Sequence, residues 1–381
     1  MSAALDLHLS TEQRELYERT RGLAAVIFKP IADRGGPGTV NRPLIKALAD
    51  EGLLGRLFKT TGQVSAIDLC LIREALARDC GEAETAFALQ GLGAYPIVQA
   101  GSAAARAAWI PGVANGTAVA AFALTEPDAG SDVGALSLKA EPDGDGYRLT
   151  GEKLWISNAP EADIYSVFAR TGEGSRGISA FAIPGDAPGL SGEPKRMLAP
   201  HAIGSLRFDR VPVAGEQMLG QPGEGFRVAM QTLDLFRPSV GAFAIGTALH
   251  ALELAIDYAL ERHTFGRPLK DHQAIAHRLA ELSARTNAAR LLVHQAAAVH
   301  DAGHPDPALA AMAKLLATET AQEAVDAAVQ FHGARALEQG HPLEHLYREV
   351  RAPRIYEGAS EIQREIIARG LFRAAGQRRP R

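Results

Sequence analysis

Apolar positions recur with a helical period in the first third of the chain, then in short runs, and then with a helical period again. Ser10, followed three residues later by Gln13, predicts a capped start for the first helix, which runs to about Phe28. Further helices are predicted over residues 41–51, 67–78 and 85–100. The last stretch is nearly free of charge, which is typical of a buried helix, although its small residues could instead leave room for a ligand.

From about residue 119 the apolar runs become short. Gly, Pro and Asp separate them, and no helical pattern lies between them. This spacing predicts a small antiparallel barrel or sandwich. The predicted strands cover residues 119–124, 147–151, 153–157, 164–169, 178–183 and 206–213.

The helical period returns after residue 225. One long pattern covers 226–262 and contains Pro238, which we expect to kink the helix or split it in two. Three more helices follow and predict a four-helix bundle. The predicted fold class is therefore α+β, with an N-terminal helical domain (1–118), a central β domain (119–225) and a C-terminal four-helix bundle (226–381).

Composition narrows the function classes. With 40 Lys and Arg against 44 Asp and Glu, the net charge is −4, which argues against nucleic-acid binding and against attraction to an anionic membrane. Cys70 and Cys80 have no metal-ligand spacing and make no disulfide framework, which indicates a reducing compartment. No signal peptide and no membrane span are expected, so the expected location is cytoplasmic, and no metal site is predicted.

The first candidate for chemistry is Glu357, which precedes Gly358. Glycine frees the backbone, so this loop can aim its carboxylate. Ser360 and Gln363 have the spacing of a capping box for the next helix. An acid beside Tyr356 in an apolar neighbourhood suits a general base with a raised pKa, but Glu357 could instead simply favour the positive end of that helix.

Three other segments could hold a polar or flat ligand. The Gly- and Ser-rich loop after the first strand could offer N–H groups and hydroxyls, or be a plain turn. Trp155 with Ser157 could stack on a flat cofactor, or be a core Trp at the end of a strand. Arg262 and its neighbours up to Gln273 could suit a diphosphate, or form an ordinary helix end.

Several segments together resemble the acyl-CoA dehydrogenase family of flavoproteins, and the resemblance covers nearly the whole chain. They include Leu-Thr-Glu-Pro-Asp-Ala-Gly-Ser-Asp (124–132), Gly-Glu-Lys-Leu-Trp-Ile-Ser-Asn (151–158), Glu-Arg-His-Thr-Phe-Gly-Arg-Pro-Leu (261–269) and Arg-Ile-Tyr-Glu-Gly-Ala-Ser-Glu-Ile-Gln (354–363). The resemblance implies FAD as cofactor and a homotetramer. It also implies an acyl-CoA substrate and an electron-transfer flavoprotein as electron acceptor.

The resemblance also assigns roles to individual residues. Glu357 corresponds to the catalytic base, because the alternative position in some members is occupied here by Phe236. The flavin ring would contact Phe122, Leu124, Thr125, Trp155 and Ser157. The diphosphate and adenine ends of FAD would contact Arg262, Phe265, Gln273, Gln330 and Gly333, partly across a subunit interface. The substrate would contact Ser131 at its CoA portion, and Arg237, Tyr356 and Gly358 near the thioester.

The implied reaction is α,β-dehydrogenation: Glu357 takes the α-proton while the β-hydrogen leaves as hydride to the flavin. Leu89 and Gln90 match the floor of the acyl pocket and favour short, branched or cyclic acyl groups. Ala359 replaces a common Thr, so one flavin contact is lost. Two alternatives are a flavin monooxygenase or oxidase on the same scaffold and a non-catalytic flavoprotein binding module.

Overall fold

The computed structural model describes residues 9–58 and 64–377 of the chain. The chain forms two compact units, and neither is continuous in sequence. Unit 1 consists of Met1–Ala25, Ser65–Glu84 and Asp234–Arg381. Unit 2 consists of Val26–Val64 and Thr85–Leu233.

The helices match the predicted stretches closely. In the described residues they are α1 Thr11–Leu23, α2 Lys29–Ala32, α3 Arg42–Asp50, α4 Ala66–Asp79, α5 Gly81–Ala100, α6 Ala103–Ala114, α7 Gly225–Glu261, α8 Gln273–Asp301, α9 Pro307–His332, α10 Pro342–Val350 and α11 Ser360–Gln377. A wider π-type turn, Ala24–Phe28, connects α1 to α2. Helices α6 and α10 were not predicted. The Ala-rich sequence of α6 carries little amphipathic pattern.

Local caps explain where the early helices begin. Ser10 and Gln13 form the predicted capping box at α1. Asn41 accepts a hydrogen bond from the Leu44 N–H at the start of α3, and Ser65 accepts one from the Asp68 N–H at the start of α4. Because these bonds satisfy otherwise free N–H groups, the starts could be read from sequence.

The strands of unit 2 form one eight-stranded sheet. They are β1 Ala120–Ala123, β2 Lys139–Asp143, β3 Gly146–Ser157, β4 Ile164–Arg170, β5 Ile178–Pro184, β6 Leu190–Pro194, β7 Ile203–Val213 and β8 Met218–Leu219. The hydrogen-bonded order is β6-β7-β3-β2-β4-β5-β8, with β1 paired to β4.

Three details of the β prediction were wrong. The sheet is not purely antiparallel, because β1 runs parallel to β4. The predicted strands 147–151 and 153–157 are one strand, β3, whose pairing with β7 shifts register at two irregular points. Strands β2 and β6 were missed because they are mostly exposed and carry turn-forming residues, so no apolar run marks them.

Of the two alternatives for α5, a buried helix or one whose small residues leave room for a ligand, the structure supports the buried helix at Gly93. A Cβ at Gly93 would lie 2.5 Å from the backbone nitrogen of Ala121 in β1. Gln90 is also engaged: its amide donates to the Ala118 carbonyl at 2.8 Å and accepts from the Ala120 N–H at 2.8 Å. The Gln90 side chain therefore fastens α5 to the start of β1.

Helix α7 continues through Pro238, so the expected split is not observed. The hydroxyl of Ser239 donates to the Phe236 carbonyl at 2.6 Å, which satisfies one backbone acceptor beside the proline. Among the described helices, α7 alone is long and apolar enough to cross a bilayer, but 78% of its most apolar window is buried inside the protein. Such burial is that of a core helix.

In unit 1, α8, α9 and α11 pack together, and α10 packs on α9. The buried face of α8 contains Leu282, Thr286, Ala289 and Val293, as its period predicts. The lone His332 at the end of α9 is structural: its Nδ1 lies 2.8 Å from the Ala328 carbonyl, and its ring stacks on Tyr258 at 4.1 Å.

Candidate active site

Glu357 lies on a short loop between the turn Ala352–Arg354 and helix α11. Its backbone is left-handed, with φ of 51°, and Gly358 follows with φ of 95°. A left-handed conformation costs a non-glycine residue about 1–2 kcal/mol. Strain of this kind is typical of functional positions, where the surrounding structure holds the backbone.

The Glu357 carboxylate has one oxygen, Oε2, that is inaccessible to water and has no hydrogen-bond partner among the described residues. Buried acceptors in proteins are normally paired. The lone pairs of Oε2 are therefore not occupied by a donor among the described residues. A general base needs an oxygen of this kind, which must also come within hydrogen-bond reach of the proton that it removes.

Three donors hold the carbonyl groups of the loop. Lys314 Nζ donates to the Gly358 carbonyl at 2.7 Å, and Gln363 Nε2 donates to the same oxygen at 2.7 Å. Arg237 Nε lies 3.5 Å from the Glu357 carbonyl. These bonds fix the two peptide planes that follow the carboxylate.

The predicted capping box at Ser360 and Gln363 is not formed. Ser360 is the first residue of α11, and its hydroxyl donates to Glu319 Oε1 at 2.6 Å. The Gln363 side chain donates to the loop carbonyls, whereas a capping box would turn it back to the cap N–H. The spacing was correct for a cap, but the Ser360 side chain bonds Glu319 and the Gln363 side chain bonds the Gly358 carbonyl, so neither is free to form the cap.

Burial raises the pKa of the Glu357 carboxyl above its usual value. Arg73, Arg237 and Lys314 each oppose this shift, because their positive charges favour the carboxylate form. Burial also lowers the pKa of Lys314 to about 8, which leaves it mostly protonated at neutral pH. The pKa of Glu357 is thus raised by burial and held back by three positive charges.

Arg73 is a site residue that the sequence did not reveal. It is buried, and its Nε donates to Glu84 Oε1 at 2.5 Å while Nη1 donates to the Ser239 hydroxyl at 2.6 Å. These contacts join α4, the start of α5, and α7 in unit 1. Lys314 was also missed, although a signal existed: it is the single charged residue in the apolar stretch 307–318.

Unit 2 contains a second group of predicted residues, around Trp155. Trp155 has a left-handed backbone with φ of 55°, where β3 shifts register, and its side chain is 48% exposed. Phe122 packs against Phe168 with ring centroids 4.9 Å apart, and the Leu154 N–H donates to the Thr125 carbonyl at 3.0 Å. Trp155 and Thr125 therefore belong to neighbouring, hydrogen-bonded backbone. Ser157, two residues on from Trp155, is half-buried.

A buried ion pair between Lys153 and Glu126 holds the backbone next to this group. Lys153 Nζ lies 2.8 Å from Glu126 Oε1 and donates to the Leu124 carbonyl at 2.8 Å. Glu126 also accepts from the Leu138 N–H at 2.9 Å. Burial lowers the pKa of Lys153 to about 8. Burial would raise the pKa of Glu126, but the positive charge of Lys153 and the hydrogen bonds that Glu126 accepts outweigh it and hold that pKa below its usual range.

The residues predicted for the diphosphate and adenine ends lie at the surface of unit 1. Phe265 is 97% exposed, with φ of 52°, at the tip of the small hairpin His263–Thr264 and Arg267–Pro268. Arg262 and Gln273 flank this hairpin. Gln330 and Gly333 lie at the C-terminal end of α9, which the Tyr258–His332 stack places beside the end of α7. The exposed Ser131 lies on a loop of unit 2.

The residues present fit a flavin. An exposed indole held at a strained strand position suits stacking on a flat aromatic ring system, and the fixed Leu124–Thr125 backbone beside it can direct polar groups to the ring edge. An exposed arginine beside a hairpin suits a diphosphate. Among the described residues no group of acids, histidines and cysteines could hold a metal ion.

Comparisons with known proteins agree with this fit. Three family models match in order: acyl-CoA dehydrogenase N-terminal domain at residues 10–117, middle domain at 121–211 and C-terminal domain at 223–372. The chain is 34% identical over 375 residues to cyclohexane-1-carbonyl-CoA dehydrogenase of Geobacter metallireducens, covering 96% of this chain and 99% of the relative.

Two further matches concern short acyl groups. The chain is 40% identical over 284 residues to the short-chain specific acyl-CoA dehydrogenase of Rattus norvegicus mitochondria, covering 73% of this chain and 69% of the relative. The solved butyryl-CoA dehydrogenase of Megasphaera elsdenii superposes with a TM-score of 0.90 at 32% identity, covering 96% of this chain and 99% of that one.

Proposed function

The chain belongs to the acyl-CoA dehydrogenase family, which binds FAD, and on this premise we propose that Glu357 is its catalytic base. The reaction is the α,β-dehydrogenation of an acyl-CoA thioester to the 2-enoyl-CoA. The observation that carries the assignment of Glu357 is the buried, unpaired Oε2 on a loop whose carbonyls are held by Arg237, Lys314 and Gln363.

The chemistry requires both a base and protection from water. The α-hydrogen of a thioester is a weak acid, so a carboxylate with a raised pKa removes it more readily than an ordinary one. The Glu357 carboxylate takes the α-proton, and the backbone N–H of Glu357 supports the negative charge that develops on the thioester carbonyl. Bound FAD supplies the acceptor for the β-hydrogen, which leaves as hydride as the double bond forms.

We propose a short, branched or cyclic acyl group as substrate. Support comes from relatives named for butyryl, short-chain and cyclohexane-1-carbonyl thioesters. Leu89 on α5 remains a residue for which only the resemblance predicts a place in the acyl pocket. Gln90 does not support the proposal, because its amide is already bonded to the backbone at residues 118 and 120. We further propose an electron-transfer flavoprotein as the acceptor of the two electrons.

The test is anaerobic bleaching of the bound flavin by a panel of short, branched and cyclic acyl-CoAs. Wild type should bleach with at least one of them. Glu357→Gln should remain yellow and FAD-loaded but lose the reduction rate by a factor of roughly 10² or more, because an amide cannot accept the α-proton.

Glu365→Gln is the matched control, since Glu365 is exposed on α11 and, within the part of the chain that the structure describes, its ion pair is with Arg369 at 3.8 Å. It should reduce at the wild-type rate. A near-normal rate of flavin reduction in Glu357→Gln would contradict the assignment of Glu357 as the base. No bleaching of wild type by any thioester in the panel would contradict the proposed substrate class.

A further inference from the structure

We propose that Lys314 is a positioning residue for Glu357: by holding the Gly358 carbonyl, its ammonium group fixes the direction of the loop that carries the base. The proposal rests on the proposed function of Glu357. No motif and none of the comparisons assigns Lys314 a role.

The backbone conformation of the loop needs external hydrogen bonds such as the one from Lys314. Glu357 and Gly358 are consecutive left-handed residues, a conformation that the backbone does not favour by itself at Glu357. Lys314 and Gln363 bond the same carbonyl oxygen, each at 2.7 Å, and so occupy both acceptor directions of Gly358. With its carbonyl fixed on both sides, the following peptide cannot rotate without breaking two bonds.

The cost of burying Lys314 argues against a purely packing role. Its side chain is fully buried in the middle of α9. Among the described residues, no carboxylate oxygen lies within 4.0 Å of its Nζ, so no close ion pair compensates the lost hydration. A buried ammonium without such a partner is unfavourable, and methionine would fill the same space at less cost.

Charged residues of several elements act on Lys314. Glu319 on α9, Glu361 on α11 and Glu357 favour its protonated form, whereas Arg237 on α7 opposes it. In return, the Lys314 charge acts on Glu357 together with Arg73 of α4 and Arg237 of α7. Lys314 therefore holds the loop by a hydrogen bond and stabilises the ionised base by its charge.

The test is Lys314→Met in the FAD-loaded protein, with flavin reduction by an active acyl-CoA followed against pH. We expect the rate to fall by roughly 10-fold or more, because the base is no longer aimed. We also expect the pH midpoint of reduction to move upward by on the order of 1 unit, because removing a cation near a carboxylate raises its pKa.

The matched control is Thr320→Val on the same helix. Thr320 is buried and its hydroxyl has no partner among the described residues, so the variant removes a polar group without touching the loop. It should keep both the rate and the midpoint of wild type. FAD content and circular dichroism of each variant show whether the fold is retained.

Gln363→Met separates the hydrogen bond from the charge and serves if Lys314→Met does not fold. It removes the second donor to Gly358 but no charge, so the rate should fall while the midpoint stays. A wild-type rate and midpoint in Lys314→Met, or a wild-type rate in Gln363→Met, overturns the proposal. If Glu357→Gln reduces the flavin normally, it is the base assignment that fails.

Discussion

At the scale of the residue, the balance of charges around Glu357 decides its use as a base. Burial favours the protonated carboxyl and raises its pKa, and a protonated acid cannot accept the α-proton. Arg73, Arg237 and Lys314 oppose that shift, because their positive charges favour the carboxylate form. The efficiency of a general base is greatest when its pKa lies near the working pH.

Arg73 offers the sharpest residue-level prediction. The double variant Arg73→Met with Glu84→Gln removes the buried pair without leaving either partner charged and alone. Loss of the Arg73 cation raises the pKa of Glu357, so flavin reduction should need a higher pH. The midpoint of the pH–rate profile should rise by on the order of 1 unit.

Glu84→Gln alone is the control for this pair. Arg73 keeps its charge in that variant, so the midpoint of reduction should not rise. Thermal unfolding of both variants separates lost stability from altered ionisation. An unchanged midpoint in the double variant would mean that Arg73 stabilises the fold without acting on the base.

At the scale of the element, prediction succeeded where the determining contacts are local. The cap of α1 depends on two residues three positions apart, and it was predicted from sequence. The structure adds caps of the same local kind at α3 and α4, whose starts were predicted within one residue. The supposed cap of α11 failed because Glu319 and the loop carbonyls compete for the same side chains. The carboxylate could be identified by resemblance, but the donors that hold the carbonyls of its loop come from α7, α9 and α11, and no local pattern joins these helices.

The loop before α11 yields a prediction about glycine. Gly358→Ala places a Cβ 2.5 Å from Gln363 Nε2 at φ of 95°. The strain should lower the free energy of unfolding by about 1–2 kcal/mol, and displacement of Gln363 should slow flavin reduction. Urea unfolding and single-turnover reduction measure the two effects.

Gly303→Ala is the matched control for strain. Gly303 has φ of 81°, and a Cβ there would meet no atom within 4 Å. It should lose similar stability while keeping the wild-type rate. If both variants reduce the flavin equally fast, the bonds between Gln363 and the loop do not matter for catalysis.

At the scale of the whole molecule, assembly into a homotetramer is a prediction that the family resemblance implies. Phe265, Leu337 and Phe372 are large, apolar and exposed, and Phe265 belongs to the segment expected to contact FAD across a subunit interface. Exposed apolar residues mark an interface when they form one contiguous patch, so Phe265 is the residue to test, because the resemblance already places it at a subunit interface. The family, and with it the expected homotetramer, could be predicted from sequence motifs, whereas the exposure of individual side chains depends on the three-dimensional fold.

The assembly prediction is measured by light scattering. The FAD-loaded protein should have about four times the 40.4 kDa mass of one chain. Phe265→Asp should reduce both the assembled mass and the FAD content, because a charge at the hairpin tip opposes burial in an interface. Phe265→Tyr retains the ring and should behave as wild type. A 40.4 kDa species with full FAD content would contradict the prediction.

The hold on the Glu357 loop has a consequence for the order of folding. Arg237 reaches the loop from 120 positions away in the chain, and Lys314 reaches Gly358 from 44 positions away. Contacts between distant residues form late, because closing long loops costs entropy before the contacts reward it. Helical signal should therefore return early during refolding, while substrate-dependent flavin reduction should appear only after a lag. A newly made chain would look folded before it could catalyse anything.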